Sequence, residues 1–168
     1  MSGHLAQRLL DASELHGDFV LSSGKRSSVY FDKFRFLTDP ALLRDTARAV
    51  AGLLPNYVTH LAAPEGAATL LVAAVALETG LPLSVVRKEP KAYGTRSRVE
   101  GHAPEDARVA LVEDVSTTGR QVEAAARALE EVGCDVALIV LAIDRGGARA
   151  LRDAGYEVRS VVAVGSTS

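Results

Sequence analysis

Two acidic residues, followed by hydroxyl residues and a glycine, form the segment best suited to chemistry. The sequence reads EDVSTTG over residues 113–119. An apolar run precedes it and predicts a buried strand, and a helical pattern follows it over residues 120–132. In open α/β sheets, ligands bind beyond the carboxyl ends of the strands. Free backbone amides, the helix dipole and the hydroxyls of residues 116–120 together suit a phosphate monoester, and Gly119 lets the backbone come close to it.

The two carboxylates need an explanation of their own, because acids repel phosphate. Glu113 and Asp114 fit such a site if they accept hydrogen bonds from sugar hydroxyls, or if they meet the ligand through a cation. The alternative is that Asp114 or Thr118 only caps the helix and that the acids are solvated. For the whole run, acid pair included, the phosphate-site interpretation is favoured.

A long charged segment separates two predicted strands. Residues 88–106 read KEPKAYGTRSRVEGHAPED and offer almost nothing to bury. A loop of this length inside a compact domain is typically functional, so we interpret it as a lid. Arg87, Lys88 and Lys91 are its candidate anion-binding residues. Taken alone, these cations favour an ordinary solvated loop.

Candidate residues for a second ligand lie elsewhere in the chain. Arg145 follows an apolar strand over residues 136–143, so it is predicted at the same sheet edge as Glu113. It could also be an ordinary surface arginine. Tyr30 and Phe31 lie in a predicted strand, and one of them must face the core because neighbours on a strand point to opposite sides.

The surrounding pattern predicts an α/β fold with a central, mostly parallel sheet flanked by helices. Asp39 and Pro40 give a helix its N-cap and first position, and Gly80 ends the next one. Predicted strands cover residues 18–22, 28–34, 58–63, 83–87, 109–113, 136–143 and 158–164. Predicted helices cover residues 3–15, 67–78, 120–132 and 148–154, with another beginning at Asp39-Pro40.

Composition limits the possible classes. The 168 residues suit one domain, and a net charge of −2 gives no sign of a nucleic-acid binder held by bulk charge. Cys134 is the one cysteine, which excludes an internal disulfide, and the four histidines show no metal-ligand spacing. The N-terminal residues predict an amphipathic helix rather than a secretory signal, and no apolar run is long enough to span a bilayer. We therefore expect a cytoplasmic protein.

Four segments carry a resemblance to a known family. VEDVSTTG, residues 112–119, resembles the ribose-phosphate motif of type I phosphoribosyltransferases. FVLSSGKRSSVYF, residues 19–31, resembles the N-terminal hood of the orotate phosphoribosyltransferases, and RKEPKAYG, residues 87–94, resembles their mobile catalytic loop. IDR, residues 143–145, resembles their base-binding strand end. Order and spacing agree over roughly residues 5–164.

The resemblance implies an activity and a domain layout. The activity is transfer of the 5-phosphoribosyl group from phosphoribosyl diphosphate to orotate, in pyrimidine synthesis. The layout is a single domain over residues 1–168, with a hood at about 1–35, a core at about 36–168 and a mobile loop at 88–106. Mg²⁺ is implied as the cofactor, with no protein ligand assigned to it, and a homodimer with shared active sites is implied as the assembly.

The resemblance also implies roles for individual residues. Glu113 and Asp114 would hold the ribose hydroxyls, and residues 63–66 would form a diphosphate loop. Lys91, Glu113 and Asp114 are the implied catalytic residues. The implied contacts of phosphoribosyl diphosphate are Arg87, Lys88, Lys91, Tyr93, Glu113, Asp114, Val115, Ser116, Thr117, Thr118, Gly119, Arg120 and Gln121. The implied contacts of orotate are Tyr30, Phe31, Thr117 and Arg145.

Three positions depart from the family pattern. Ser22 stands where many members carry lysine, Tyr93 where many carry histidine, and Glu65 lies in the diphosphate loop. Two rival functions therefore stay open. One is a phosphoribosyltransferase for another base such as a purine, although a carboxylated base calls for a cation such as Arg145. The other is a non-catalytic sensor of phosphoribosyl diphosphate, although the chain carries no spare segment for a nucleic-acid-binding module.

Overall fold

A six-stranded sheet organises the chain, and the computed structural model describes residues 2–21, 24–92 and 97–164 of it. The strand order is β5-β4-β3-β6-β7-β8, and all neighbours are parallel except β4 and β5. The strands are β3 His60–Pro64, β4 Leu83–Val86, β5 Val99–Glu100, β6 Arg108–Ser116, β7 Asp135–Asp144 and β8 Val158–Ala163.

Helices cover both faces of this sheet, as the continuous apolar strands predict. One apolar core holds residues of α3 Pro40–Gly52 and α4 Ala68–Thr79, and the other holds residues of α5 Arg120–Glu131 and α6 Gly147–Asp153. Alternate residues of β6 feed the two cores: Ala110 enters the first and Leu111 the second. The predicted α/β architecture is confirmed.

Local signals set the helix ends. The carboxylate of Asp39 accepts the Leu42 N–H at 2.8 Å, and Pro40 occupies the first helical position of α3. Gly80 ends α4 with φ 74°, a left-handed conformation that favours glycine. No helix within the described residues is both long and apolar enough to cross a membrane.

A helix and a hairpin precede the sheet domain. They comprise α1 Ser2–Ser13, the antiparallel strands β1 Glu14–Val20 and β2 Arg26–Phe31, and the short helix α2 Phe34–Leu37. The predicted helix end at residue 15 was wrong, since Glu14 and Leu15 pair with Phe31 and Tyr30. The predicted end of the second strand at residue 34 was also wrong. The backbone leaves the hairpin after Phe31, and the N–H of Thr38 bonds to Phe34 O in a helical turn.

The long segment after β4 contains a strand that the sequence interpretation missed. Val99 pairs with Val86, and Glu100 pairs with Val85, so β5 forms the antiparallel edge of the sheet. A two-residue strand is too short to show any periodicity in a charged sequence. The segment is therefore attached to the sheet at this point.

Candidate active site

Strand β6 continues past the predicted end at residue 113, and this changes the setting of the two acids. Val115 pairs with Ile143, and Ser116 with Asp144, so Glu113 and Asp114 lie inside the strand. Glu113 is 4% exposed and Asp114 0% exposed. The sequence could not give this end, because the pairing of residues 114–116 depends on how far β7 extends beside them.

Lys33 provides the positive charge that the buried acids require. Its Nζ lies 3.2 Å from Oδ2 and 3.3 Å from Oδ1 of Asp114, and the Val115 N–H donates to Oδ1 at 2.6 Å. Lys33 stands at the N-cap of α2, so the N-terminal hairpin and helix reach the site through this contact. Sequence analysis missed Lys33, because its partner lies 81 residues away and no local motif marks the pair.

Glu113 is held in a different way from its neighbour. Its pKa is raised to about 8, mainly by burial and next by the adjacent Asp114. The Asp114 N–H donates to Glu113 Oε1 at 3.1 Å. At neutral pH one acid is thus paired with Lys33 and the other is largely protonated. The acid pair therefore adds little net negative charge beside the hydroxyl-rich turn that follows β6.

The hydroxyl-rich turn after β6 is open to solvent where a phosphate would bind. Thr117 and Thr118 are exposed, whereas the side chain of Ser116 is buried. The first intrahelical bond of α5 runs from the Glu123 N–H to Gly119 O at 2.8 Å, so the amides at the start of the helix precede that ladder. This arrangement can receive an anion at the helix N-terminus.

Glycines at the start of α6 pack directly behind this turn. A Cβ on Gly147 would come 2.1 Å from Ser116 Oγ, and a Cβ on Gly119 would come 3.0 Å from Gly147 O. Gly119 also has φ 77°. A Cβ on Gly119 would point toward Gly147 and Leu151 rather than toward the open side of the turn. Gly119 is thus required by its conformation and packing, and the expected need for close ligand approach is not what the geometry shows.

The root of the charged loop carries cations and two carboxylates that hold it. The Lys88 N–H donates to Glu65 Oε1 at 2.7 Å, so this unexpected acid binds the loop backbone. Lys91 Nζ lies 2.6 Å from Glu100 Oε1, and Arg87 Nη1 lies 3.9 Å from the same oxygen. Sequence analysis did not find the role of Glu100, because it depends on the pairing of β5.

A cavity of about 300 Å³ separates this loop root from the N-terminus of α5. The residues that line it are Pro64, Val86, Arg87, Lys88, Arg98, Arg120, Gln121, Ala124 and Ala125. Four of them are cations and none is an acid, so the cavity suits an anionic ligand. The structure thus brings together four of the predicted phosphoribosyl diphosphate contacts and Pro64 of the predicted diphosphate loop. It adds Arg98, which the sequence interpretation missed.

The predicted orotate residues divide between two sides of β2. The Arg145 guanidinium lies over the Phe31 ring, 4.7 Å from its centroid, and the Arg145 N–H donates to Ser116 O at 2.8 Å. Tyr30 instead packs against Phe19 with ring centroids 5.6 Å apart. Phe31 and Arg145 are therefore adjacent to the hydroxyl-rich turn, and Tyr30 faces the other side of the hairpin.

Comparison with known proteins identifies the family of this chain. The family model described as "Phosphoribosyl transferase domain" matches residues 36–166. The chain belongs to this family. An orotate phosphoribosyltransferase of Thermococcus gammatolerans is 41% identical over 166 residues, which is 95% of this chain and 88% of that protein. The family assignment thus rests on nearly the whole sequence.

Solved phosphoribosyltransferase structures share the fold. The orotate phosphoribosyltransferase of Aeropyrum pernix is 33% identical with a TM-score of 0.81, covering 95% of this chain and 93% of its own. That of Mycobacterium tuberculosis in complex with 5-phospho-alpha-D-ribosyl 1-diphosphate is 26% identical with a TM-score of 0.80, covering 96% and 95%. The predicted type I phosphoribosyltransferase fold is confirmed.

Two predicted features of this phosphoribosyltransferase lie outside the described residues. These are Tyr93, a predicted diphosphate contact, and Ser22, a departure from the family pattern. Within the described residues, no group of three or more His, Cys, Asp or Glu could hold a metal by itself. Asp114 Oδ2 is buried and lies 3.2 Å from Lys33 Nζ, so it is engaged in an ion pair, and Mg²⁺ would depend mainly on substrate and water oxygens.

Proposed function

We propose that the enzyme transfers the 5-phosphoribosyl group of phosphoribosyl diphosphate to orotate, giving orotidine 5-phosphate and diphosphate. The observation that carries this proposal is Arg145, a cation whose backbone is bonded to Ser116 beside the hydroxyl-rich turn and whose guanidinium lies over the Phe31 ring. Its guanidinium can pair with the orotate carboxylate, since arginine matches carboxylate geometry. A neutral purine would leave this cation without a partner.

The sugar phosphate is assigned to the end of β6 and the start of α5. Thr117, Thr118 and the amides that lead into α5 would hold the 5-phosphate, with Arg120 beside them. Glu113 and Asp114 would accept hydrogen bonds from the ribose hydroxyls. Gln121 lines the same cavity as Arg120, and Val115 and Ser116 contribute backbone, because the Ser116 side chain is buried.

The leaving diphosphate is assigned to the cations of the loop root. Arg87, Lys88 and Lys91 would neutralise it, with residues 63–66 beside them. Pro64 has no N–H and the Glu65 N–H donates to Val86 O at 2.8 Å, so Gly66 is the residue of this turn whose amide would meet the diphosphate. Mg²⁺, held mainly by substrate and water oxygens, would offset diphosphate charge when bound. Closure of the loop over residues 88–106 would exclude water from the sugar.

Catalysis on this assignment is positioning and charge stabilisation. The ribose C1 develops oxocarbenium character as diphosphate leaves, and the orotate nitrogen attacks it. We assign no general base, since the orotate ring nitrogen is acidic enough to react largely as an anion. Phe31 would lie along the base, where its ring already orients Arg145.

Substitution of Arg145 tests the choice of base. We expect Arg145→Ala to weaken orotate binding by about 1.5–3 kcal/mol, or roughly tenfold or more, because a charge-assisted pair is lost. The KM for phosphoribosyl diphosphate should change much less. Arg149→Ala, an exposed arginine on α6, is the matched control. Equal losses for both substrates in Arg145→Ala would remove the assigned role.

We also propose a homodimer, supported by the outer face of α4. Leu70 is 42% exposed and Leu77 is 90% exposed, and Ala73 between them is exposed as well. Their spacing places all three on one side of the helix. A contiguous apolar face of this kind marks an interaction surface. Because α4 begins just after residues 63–66, a second copy there would stand close to the diphosphate loop.

A cytoplasmic location stays a prediction of the sequence. The division into a hood at about residues 1–35, a core at about 36–168 and a mobile loop at 88–106 belongs to the proposed function.

A further inference from the structure

One carboxylate oxygen meets two of the cations assigned to diphosphate. Glu100 Oε1 lies 2.6 Å from Lys91 Nζ and 3.9 Å from Arg87 Nη1. Lys91 belongs to the charged loop, whereas Arg87 directly follows β4. Glu100 therefore stands as the counter-anion of both cations.

The fold fixes the carboxylate more firmly than the lysine. Glu100 pairs with Val85, and the Arg87 N–H donates to Arg98 O at 2.7 Å. Gly101 follows with φ 90°, and a Cβ there would come 3.1 Å from Leu83 O. Glu100 is thus held on the edge of the sheet by its backbone. Lys91 has no such strand of its own, so it is the partner that can move.

We propose that Glu100 is a positioning residue that competes with diphosphate for Lys91 and Arg87. This inference rests on the proposed function, because it requires that these cations bind diphosphate. Glu100 gathers the cations at the loop root while the site is empty, and an incoming diphosphate must take them from it. After transfer, Glu100 takes them back, which favours release of the diphosphate product.

Competition and simple support predict opposite changes in diphosphate affinity when the Glu100 carboxylate is removed. If Glu100 only held the cations in place for the ligand, its removal would weaken diphosphate binding. If it competes, removal frees two positive charges and tightens binding. All three side chains are partly exposed, although Glu100 Oε1 itself is buried, so solvent screens the pairs in part and the expected effect is modest.

The experiment measures the affinity of inorganic diphosphate by calorimetry in the presence of Mg²⁺. We expect Glu100→Gln to bind diphosphate about two- to fivefold more tightly than the wild type, the range that screened ion pairs provide. Diphosphate should inhibit turnover of this variant correspondingly more strongly. Glu105→Gln, an exposed acid of the same segment, removes the same charge and should leave the affinity unchanged.

A second comparison separates competition from a general change in charge. In a Lys91→Met background, Glu100→Gln should change the free energy of diphosphate binding by at most half as much as it does in the wild type. The reason is that only one of the two cations for which Glu100 competes remains. A thermal unfolding scan confirms that each variant is folded. Unchanged or weaker binding by Glu100→Gln would overturn the inference alone, provided that the wild type binds diphosphate. A wild type that binds none would overturn the proposed function and this inference with it.

Discussion

Asp114 is completely buried, and Lys33 forms an ion pair with it. This pair links the N-terminal residues to the site. Removing one partner of a buried pair leaves the other charge without compensation, which costs more than the pair contributes. Lys33 is partly exposed, so part of this cost is screened.

Substitution of Lys33 tests the contribution of this pair to stability. Lys33→Met should lower the free energy of unfolding by about 1–3 kcal/mol, since Asp114 must then stay charged alone or take up a proton. Lys33→Arg, which keeps the charge, should recover most of this loss. Urea unfolding of the three proteins at one pH provides the comparison. Equal stability of Lys33→Met and the wild type would show that the pair does not hold Asp114.

Glu113 gives a prediction about pH. Its pKa is about 8 in the folded enzyme against an ordinary value of 4.5. Between these values the folded state binds more protons than the unfolded state, so the free energy of unfolding falls as pH rises through the window. The slope is at most about 1.4 kcal/mol per pH unit.

Glu113→Gln isolates this contribution, because glutamine resembles the protonated acid and does not titrate. The stability of the wild type minus that of the variant should fall from pH 6 to pH 8 and level off above it. Urea unfolding at several pH values measures the difference, in which other titrating groups cancel. A difference that is independent of pH would mean that Glu113 ionises normally.

Among the elements, the hydroxyl-rich turn of residues 116–119 depends on α6 as much as on β6 and α5. Gly147 sits against Ser116, and Gly119 sits against Gly147. The turn can keep its shape only while these positions lack side chains. A signal for this existed in the sequence as the pair Gly146-Gly147 after the strand, but only the packing shows which surface they contact.

Gly147→Ala tests this dependence. The added methyl must displace Ser116 Oγ, so we expect a loss of stability of about 1–3 kcal/mol and a raised KM for phosphoribosyl diphosphate. Gly52→Ala is the matched control, because nothing lies within 4 Å of a Cβ there. Thermal unfolding and steady-state kinetics on both variants give the answer. A Gly147→Ala enzyme with unchanged stability and KM would show that α6 does not shape the turn.

Sequence reasoning predicted the helices and strands whose pattern is local. The helix after Asp39, the apolar strand before Glu113 and the helix after Gly119 are examples, since each carries its own periodicity or cap. It missed β5 and the extension of β6, because both exist only through pairing with a neighbouring strand. For the same reason it found the acids and the loop cations but not Lys33 or Glu100, the partners that hold them.

At the scale of the whole molecule, the outer face of α4 is the feature that the single chain does not explain. Leu77→Glu places a charge on the most exposed leucine of this apolar face, so we expect it to shift a dimer toward monomer and to reduce activity if the sites are shared. Val132→Glu, on an exposed apolar residue at the end of α5, is the control. Analytical ultracentrifugation of the wild type and both variants decides the matter. A wild type that is monomeric and fully active would contradict the shared-site assembly.

On the proposed function, a sugar phosphate bound at residues 113–119 reacts with a carboxylated base held by Arg145. The most direct test is turnover of phosphoribosyl diphosphate with Mg²⁺ and a panel of bases: orotate, uracil, adenine and hypoxanthine. We predict loss of orotate absorbance with release of one diphosphate per orotate consumed, and little reaction with the other bases. Consumption of a purine in preference to orotate, or binding of phosphoribosyl diphosphate without turnover of any base, would contradict this account.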